Sequence, residues 1–412
     1  MVIRLKTVHE DRVILSEAQN LALLRMGPGR KDQGKILRFA PNDSGGARDD
    51  KPGTRASLRF GEDLIRKRFA LSALAFVLLA PCAVARSLRI GVFGLLHPRQ
   101  LTIACSPGQT LMLIAGPHQI GLSGGASALL ILEADHVRVR SGDESFVATG
   151  VRVTGATTRG SDFLLSVPGK LTRPFRGKLD VACGIHELIA VVEMDLETAV
   201  ASAVAAESAP GASLEALKAQ AVATRSYYLA SRPRHGEFDF CDTTHCQFLR
   251  EAPSSQSLAA QAAAATDGLV LVYDGVPVPA LFTGSCGGRT RTLAEVGLAP
   301  APYPYFSVTC NYCLEHSPHW QVRLDAGEAA ELATHSEASR LKLGRILGWD
   351  AVPGNNYELQ PRSGAVMLEG RGKGHGVGLC QLGAAWMARQ GRGFQEILAF
   401  YYPNTLVAGN SN

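Results

Sequence analysis

The chain has 412 residues, 46% hydrophobic and 19% charged, which is enough to bury a core and excludes a disordered, collagen-like or coiled-coil protein. Its formal charge of +5 would suit a nucleic-acid binder if it were spread over the fold. It is not: residues 1–85 hold 15 Lys/Arg against 9 Asp/Glu, while 86–412 hold 27 against 28, so the body is nearly neutral and nucleic acid is not expected as a partner.

Residues 1–62 are rich in Arg, Gly and Asp and show no clear hydrophobic period, as expected of a disordered extension or of sequence upstream of the true start. Arg66-Lys67-Arg68 then precedes a 17-residue apolar run, 69–85, that ends in Ala83-Val84-Ala85. Basic, apolar and small-residue regions in that order make a secretory signal. The run is at the lower edge of a bilayer span, so an uncleaved anchor is the alternative. Leu79-Ala80-Pro81-Cys82 resembles a lipoprotein box, but Pro81 before the Cys fits it poorly. Residues 63–85 are thus read as a signal peptide or membrane anchor. The remainder is expected on the periplasmic or extracellular, cell-wall side, meeting the membrane only through that segment. Eight cysteines follow Ala85, and an oxidising compartment admits disulfides as well as metal binding.

From Ser87 to about Glu193 short β-type runs alternate with Gly and Pro, most regularly in HVRVRS. Asp195 reads as the N-cap of a helix ending at Glu207. A second helix starts at Ser213 and stops before Pro233. An Ala-rich helix (257–265), short strands, a helical region (326–347), a Gly-alternating strand (370–378) and a closing helix complete the pattern. The class is α+β, with a β-rich N-terminal part, helices inserted between sheet segments, and two lobes forming a cleft. The proposed division is 86–193 for the β-rich part and 194–410 for a catalytic core.

Several groups could carry chemistry. Glu207 ends an Ala-rich helix, where apolar neighbours would raise a carboxyl pKa toward that of a general acid. Lys218 and Arg225 share one face of the next helix, and Gln220 and Tyr227 another. His235, Cys241, His245 and Cys246 form a four-ligand zinc set. Zinc is preferred there over a Cys241–Cys246 disulfide, which would leave two histidines without a role. Cys286, Cys310 and Cys313, with His316 and His319 nearby, could form a second metal cluster or a disulfide. In 370–378, period two would place five glycines on one face of a strand. Gly121-Leu122-Ser123-Gly124-Gly125 satisfies G-x-S-x-G, although no clear helix follows it, as a nucleophile elbow requires.

Taken together, these blocks resemble the stage II sporulation protein D family, which includes amidase-enhancer proteins of the cell wall. The carriers are LETAVASAVAAES with LEALKAQAVATRSYYL, then FDFCDTTHCQ, FTGSCGGRTRT, and GKGHGVGLCQLGAAWMARQG continuing into FQEILAFYYPNT. The resemblance implies a lytic transglycosylase that acts on peptidoglycan glycan strands stripped of stem peptides. Glu207 would be the catalytic acid, with a structural Zn2+ on the His/Cys loop. Lys218, Arg225, Ser285, Gly287, His375 and Gln381 would line the substrate cleft. It also implies an alternative, a non-catalytic wall-binding activator of an N-acetylmuramoyl-L-alanine amidase. Two departures stand out. SAPG follows Glu207 where MP is more common, and Cys286 and Cys380 replace small or polar residues and could bond to each other.

Overall fold

The computed structural model describes residues 86–409, apart from 156–159, 232, 234, 244 and 349; the extension and signal assignments lie outside these residues. No helix among the described residues is long and apolar enough to cross a membrane.

Alternating apolar residues build the first part as strands: β1 (Ser87–Val92), β2 (Gln100–Cys105), β3 (Thr110–Ala115), β4 (His118–Ser123), β5 (Ser127–Glu133) and β6 (His136–Ser141). They continue with β7 (Glu144–Ala148), β8 (Gly150–Gly155), β9 (Ser161–Val167), β10 (Leu171–Cys183) and β11 (Leu188–Asp195). In β5, Ala128, Leu130 and Leu132 point inward while the residues between them stay partly exposed, as period two requires.

The thirteen-residue β10 joins two sheets. Its first half pairs with β9, and through β9 with β2, β5, β6 and β7; its second half pairs with β11 and β8. The bend falls at Gly177 (φ +150), where a Cβ would lie 2.3 Å from the Glu193 carbonyl oxygen. Only glycine fits. Ile103, Leu113, Leu130, Val153, Leu165 and Leu179 then meet in one core.

Asp195 caps the next element, accepting N–H bonds from Glu197 and Thr198 at 3.0 and 3.2 Å and starting α1 (Leu196–Glu207). α2 (Leu214–Ala230) and α3 (Leu258–Ala265) follow, each after a serine N-cap. α2 is buried on nearly every side. Leu217, Ala221 and Tyr228 join the sheet core, whereas Ala219, Val222 and Ala223 join a second core with Phe282, Leu379 and Tyr401. One helix is therefore common to both larger cores, and the α+β chain packs continuously through it.

Beyond α3 lie β13 (Leu269–Tyr273), β14 (Val276–Pro277) and β15 (Phe282–Thr283), after β12 (Phe240–Cys241) has added in parallel to β1. The helical region expected over 326–347 is two helices. After α4 (Asn311–His316), α5 (Ala326–Leu332) and α6 (Glu337–Leu347) are separated at His335, which takes φ +52. They cover a three-stranded sheet of β16 (His319–Leu324), β17 (Tyr357–Arg362) and β18 (Ala365–Arg371). β19 (Leu379–Cys380), α7 (Gln381–Arg389), α8 (Phe394–Tyr401) and β20 (Leu406–Gly409) close the chain.

One sequence expectation fails here, and the doubtful nucleophile elbow is absent, as the lack of a following helix implied. The glycine-alternating segment is strand only to Arg371. Gly372, Gly374, Gly376 and Gly378 all take positive φ, from +73 to +92, and wind the chain into a loop. Its backbone bonds to Ser285, Arg291 and Pro353 instead of running on as a ladder. The G-x-S-x-G segment joins β4 to β5 with Ser123 exposed, so it is a strand-to-strand turn and no nucleophile elbow.

Gly378 has φ +73, and a Cβ there would meet the Leu281 carbonyl oxygen at 1.9 Å; Gly364 has φ +71 but open space around it. Urea unfolding should therefore show Gly378→Ala losing at least about 2 kcal/mol and Gly364→Ala only about 1 kcal/mol. Equal losses would refute the steric account.

Candidate active site

Glu207 is the last residue of α1, and two distant segments close on it. The Phe248 N–H donates to Glu207 Oε1 at 2.5 Å, and Gln381 Nε2 donates to the Glu207 carbonyl oxygen at 2.7 Å and to Gln220 Oε1 at 3.1 Å. The residue as a whole is half-buried. Protein nevertheless crowds the carboxyl closely enough that desolvation pushes its pKa up to about 8, against the Phe248 bond, which favours the carboxylate. Near neutral pH it holds its proton.

Along α2, Gln220, Thr224 and Tyr228 recur at intervals of four and so lie in one row. All three are buried, and Gln220 Nε2, Thr224 Oγ1 and the Tyr228 hydroxyl have no hydrogen-bond partner; neither has Oε1 of buried Gln247, beside Phe248. Burial, then the nearby Cys246 and Glu207, raises the Tyr228 pKa well above its ordinary value. Buried polar atoms left without partners mark a place where a ligand or water would bind. The sequence reading paired Gln220 with Tyr227 and passed over Thr224 and Tyr228; a polar row at spacing four in an Ala-rich helix was the available signal.

Phe248 owes its position to the His/Cys loop just before it. β12 lays Phe240 and Cys241 beside Ile90 and Gly91 of β1. Asp242, buried, then accepts from the Phe93 N–H and pairs with Arg173, both at 3.3 Å. His235, Cys241, His245 and Cys246 converge, with all four donor atoms within 4.8 Å of one another. His245 Nδ1 lies 3.5 Å from Cys241 Sγ and 3.4 Å from Cys246 Sγ, and His235 Nε2 lies 3.4 Å from Cys246 Sγ. A tetrahedron with bonds of about 2.0–2.3 Å has edges of roughly 3.3–3.8 Å, so the set fits one zinc ion. The two thiols are free, not joined to each other.

The other expected residues are dispersed. Gln381 alone touches Glu207 directly. Lys218 pairs with Glu215 at 2.6 Å, and Glu215 also accepts the Phe394 N–H at 2.9 Å, which ties α2 to α8. Arg225 is fully buried. Its guanidinium grips both oxygens of Glu197, at 2.7 and 2.5 Å, and donates to the carbonyls of Leu269 and Ala263. These bonds join α1, α3 and β13 to α2. Ser285 is buried beside Cys313 Sγ and Ser317 Oγ, at 3.5 and 3.2 Å. Gly287, at φ +75, leaves room for Asn356, whose Nδ2 donates to its carbonyl oxygen. His375 is buried, burial lowers its pKa to about 4, and its Nδ1 accepts the Val377 N–H. Two surface depressions, of about 560 and 830 Å³, lie on the β16–β18–β17 sheet and around Cys183, away from Glu207.

Residues 185–273, which contain Glu207 and the whole His/Cys loop, match the family described as Stage II sporulation protein (SpoIID). The chain therefore carries a SpoIID family domain over these residues. It is similar to stage II sporulation protein D of Bacillus amyloliquefaciens, 28% identical over 254 residues that cover 52% of this chain and 74% of the relative. The Bacillus subtilis (strain 168) protein of the same name is 26% identical over 261 residues, covering 53% and 76%. An uncharacterized protein of Brachyspira hyodysenteriae is 29% identical over 247 residues, covering 52% and 67%. Ser285, Gly287, His375 and Gln381 lie beyond the stretch matched to the SpoIID family, although the structure brings Gln381 back to it.

Replacing Arg225 by Met would strand the Glu197 carboxylate and several carbonyls, so chemical denaturation should show a loss of about 3–5 kcal/mol. Lys218→Ala should cost no more than about 1 kcal/mol. Similar losses at both positions would contradict the assignment of Arg225 to the scaffold.

Proposed function

We propose that this protein is an exported lytic transglycosylase of peptidoglycan, cutting glycan strands after N-acetylmuramic acid with Glu207 as acid and then base. The carrying observation is one carboxyl at the meeting point of three family-like segments, with its pKa raised to about 8. The SpoIID family domain at residues 185–273 and the similarity to proteins named stage II sporulation protein D support the coarser statement of a sporulation-related cell-wall role.

The chemistry needs only that carboxyl. Protonated Glu207 gives its proton to the glycosidic oxygen as the bond breaks. The resulting carboxylate, steadied by the Phe248 N–H, takes the proton of the same sugar's C6 hydroxyl as that oxygen closes on C1. A 1,6-anhydro ring forms, no water is activated, and the second carboxylate of a hydrolytic glycosidase has no task. The unpaired groups of Gln220, Thr224 and Tyr228 are suited to the hydroxyls and amides of a neutral sugar chain. A Zn2+ on His235, Cys241, His245 and Cys246 would be held by four protein ligands and would supply rigidity, keeping the loop so placed that the Phe248 N–H meets Glu207. The catalytic core would be residues 194–410, exported by way of 63–85.

Denuded glycan strands incubated with the protein should yield anhydro-muramyl ends, detected by mass spectrometry. Glu207→Gln should reduce their formation by about 10²–10⁴-fold, and wild-type activity should fall as pH rises through about 8. Absence of products with the wild type would overturn the enzyme reading in favour of an amidase activator.

Stability offers an independent check. Unfolded Glu207 ionises near 4.5 but the folded residue only near 8, so the folded state loses stability across that interval as pH rises. Thermal unfolding should show Glu207→Gln gaining on the wild type from pH 4.5 to 8, by an amount on the order of a few kcal/mol, and no further above it.

Cys241→Ser/Cys246→Ser should remove one zinc per chain, measured by elemental mass spectrometry. Unchanged zinc content would refute the loop assignment.

A further inference from the structure

We propose that Cys286, Cys310, Cys313 and Cys380 form a second metal site, an all-thiolate site for one zinc ion. The four residues come from the loop after β15, the residue before α4, the first turn of α4 and the end of β19. Each is at most 2% exposed, and all four sulfur atoms lie within 4.8 Å of one another. Cys313 Sγ and Cys380 Sγ are 3.4 Å apart although 67 residues separate them in the chain.

That spacing decides between occupants. Four thiolates around one ion at about 2.3 Å define a tetrahedron with edges near 3.8 Å. Two disulfides would draw the sulfurs into separate pairs at about 2.05 Å and would need no fourfold convergence. An iron–sulfur cluster puts its own iron and sulfide atoms between the thiolates and would hold them further apart. A single tetrahedral ion remains, and soft thiolates on a closed site select zinc.

The surroundings suit thiolates. Cys380 Sγ faces the N–H groups of Cys286 and Gly383, both at 3.4 Å. Tyr401's hydroxyl lies 3.3 Å from Cys310 Sγ, and Ser285 Oγ lies 3.5 Å from Cys313 Sγ. Four thiolates and one divalent ion leave a net charge of −2, which such donors spread over the surrounding protein. Gly383 leaves the space this requires, since a Cβ there would come within 2.6 Å of Cys310 Sγ and 2.0 Å of the Tyr401 oxygen. His316 and His319, neighbours in sequence, are exposed and engaged elsewhere: His316 stacks on Tyr312, and His319 accepts from Arg371. The ligand set is therefore the four cysteines.

Binding releases the four thiol protons to solvent and moves no electrons, so occupancy should fall in acid. Cys380 immediately precedes Gln381, whose amide holds the Glu207 carbonyl. The ion would thus pin the start of α7, and with it Gln381, to the loops carrying Cys286 and Cys310. The site itself does not depend on the assignment of catalytic activity.

The test is the metal and thiol content of the full-length chain. Elemental mass spectrometry should find two zinc ions per chain, and zinc-edge X-ray absorption should report an average of three sulfur and one nitrogen ligands. Cys310→Ser/Cys313→Ser should lose one zinc, leaving a two-sulfur, two-nitrogen signal. Cys241→Ser/Cys246→Ser should lose the other and leave sulfur alone at about 2.3 Å. Wild-type readings need no variant to fold. One zinc per chain with two-sulfur, two-nitrogen ligation would overturn the proposal, as would iron in place of the second zinc. So would disulfides among these four cysteines after alkylation in denaturant without reductant.

Discussion

The environment of Glu207 depends on one arrangement, a carboxyl held largely away from bulk water by segments distant in the chain. Its pKa rises because protein surrounds it, yet one oxygen still receives the Phe248 N–H and its carbonyl receives Gln381. The constraint is costly, since a buried acid opposes folding wherever the unfolded chain would ionise it. It persists because three segments are anchored independently: the end of α1, the His/Cys loop and the start of α7.

Each anchor has its own physics. α1 begins at an Asp195 cap and is clamped in its first turn by the Arg225–Glu197 pair, a buried guanidinium satisfied on several sides. The loop is added to β1 as a parallel strand and held by Asp242 between Arg173 and the Phe93 N–H. The start of α7 follows β19, which pairs in parallel with β15 beside the convergent cysteines. α2 runs through both larger cores and keeps the first and last anchors in register.

Much of this was legible in the residues. Alternation located β1, β2, β3, β5, β6 and β9, and Asp195, Ser213 and Ser257 marked three helix starts. Those signals are local, so tertiary packing did not override them. The glycine segment after Arg371 misled because alternating glycine satisfies period two in a strand and also permits alternate positive φ in a loop. Composition cannot choose between them; the partners at Ser285, Arg291 and Pro353 do. The partners of Arg225 were equally out of reach, since a helix position gives a direction but not what lies there.

The sequence by itself determined many of the elements, the His/Cys donor set with its close spacing, and Glu207 as the carboxyl at a helix end. These follow from short-range steric and hydrogen-bonding preferences. Only the tertiary structure decided which side chains meet. It separated Gln381, which reaches Glu207, from Ser285 and His375, which do not; it exposed the unpaired row of Gln220, Thr224 and Tyr228; and it joined Cys380 to Cys286, Cys310 and Cys313. Contacts across 67 to 174 residues are set by how the sheets and helices exclude water together, and no local pattern encodes that.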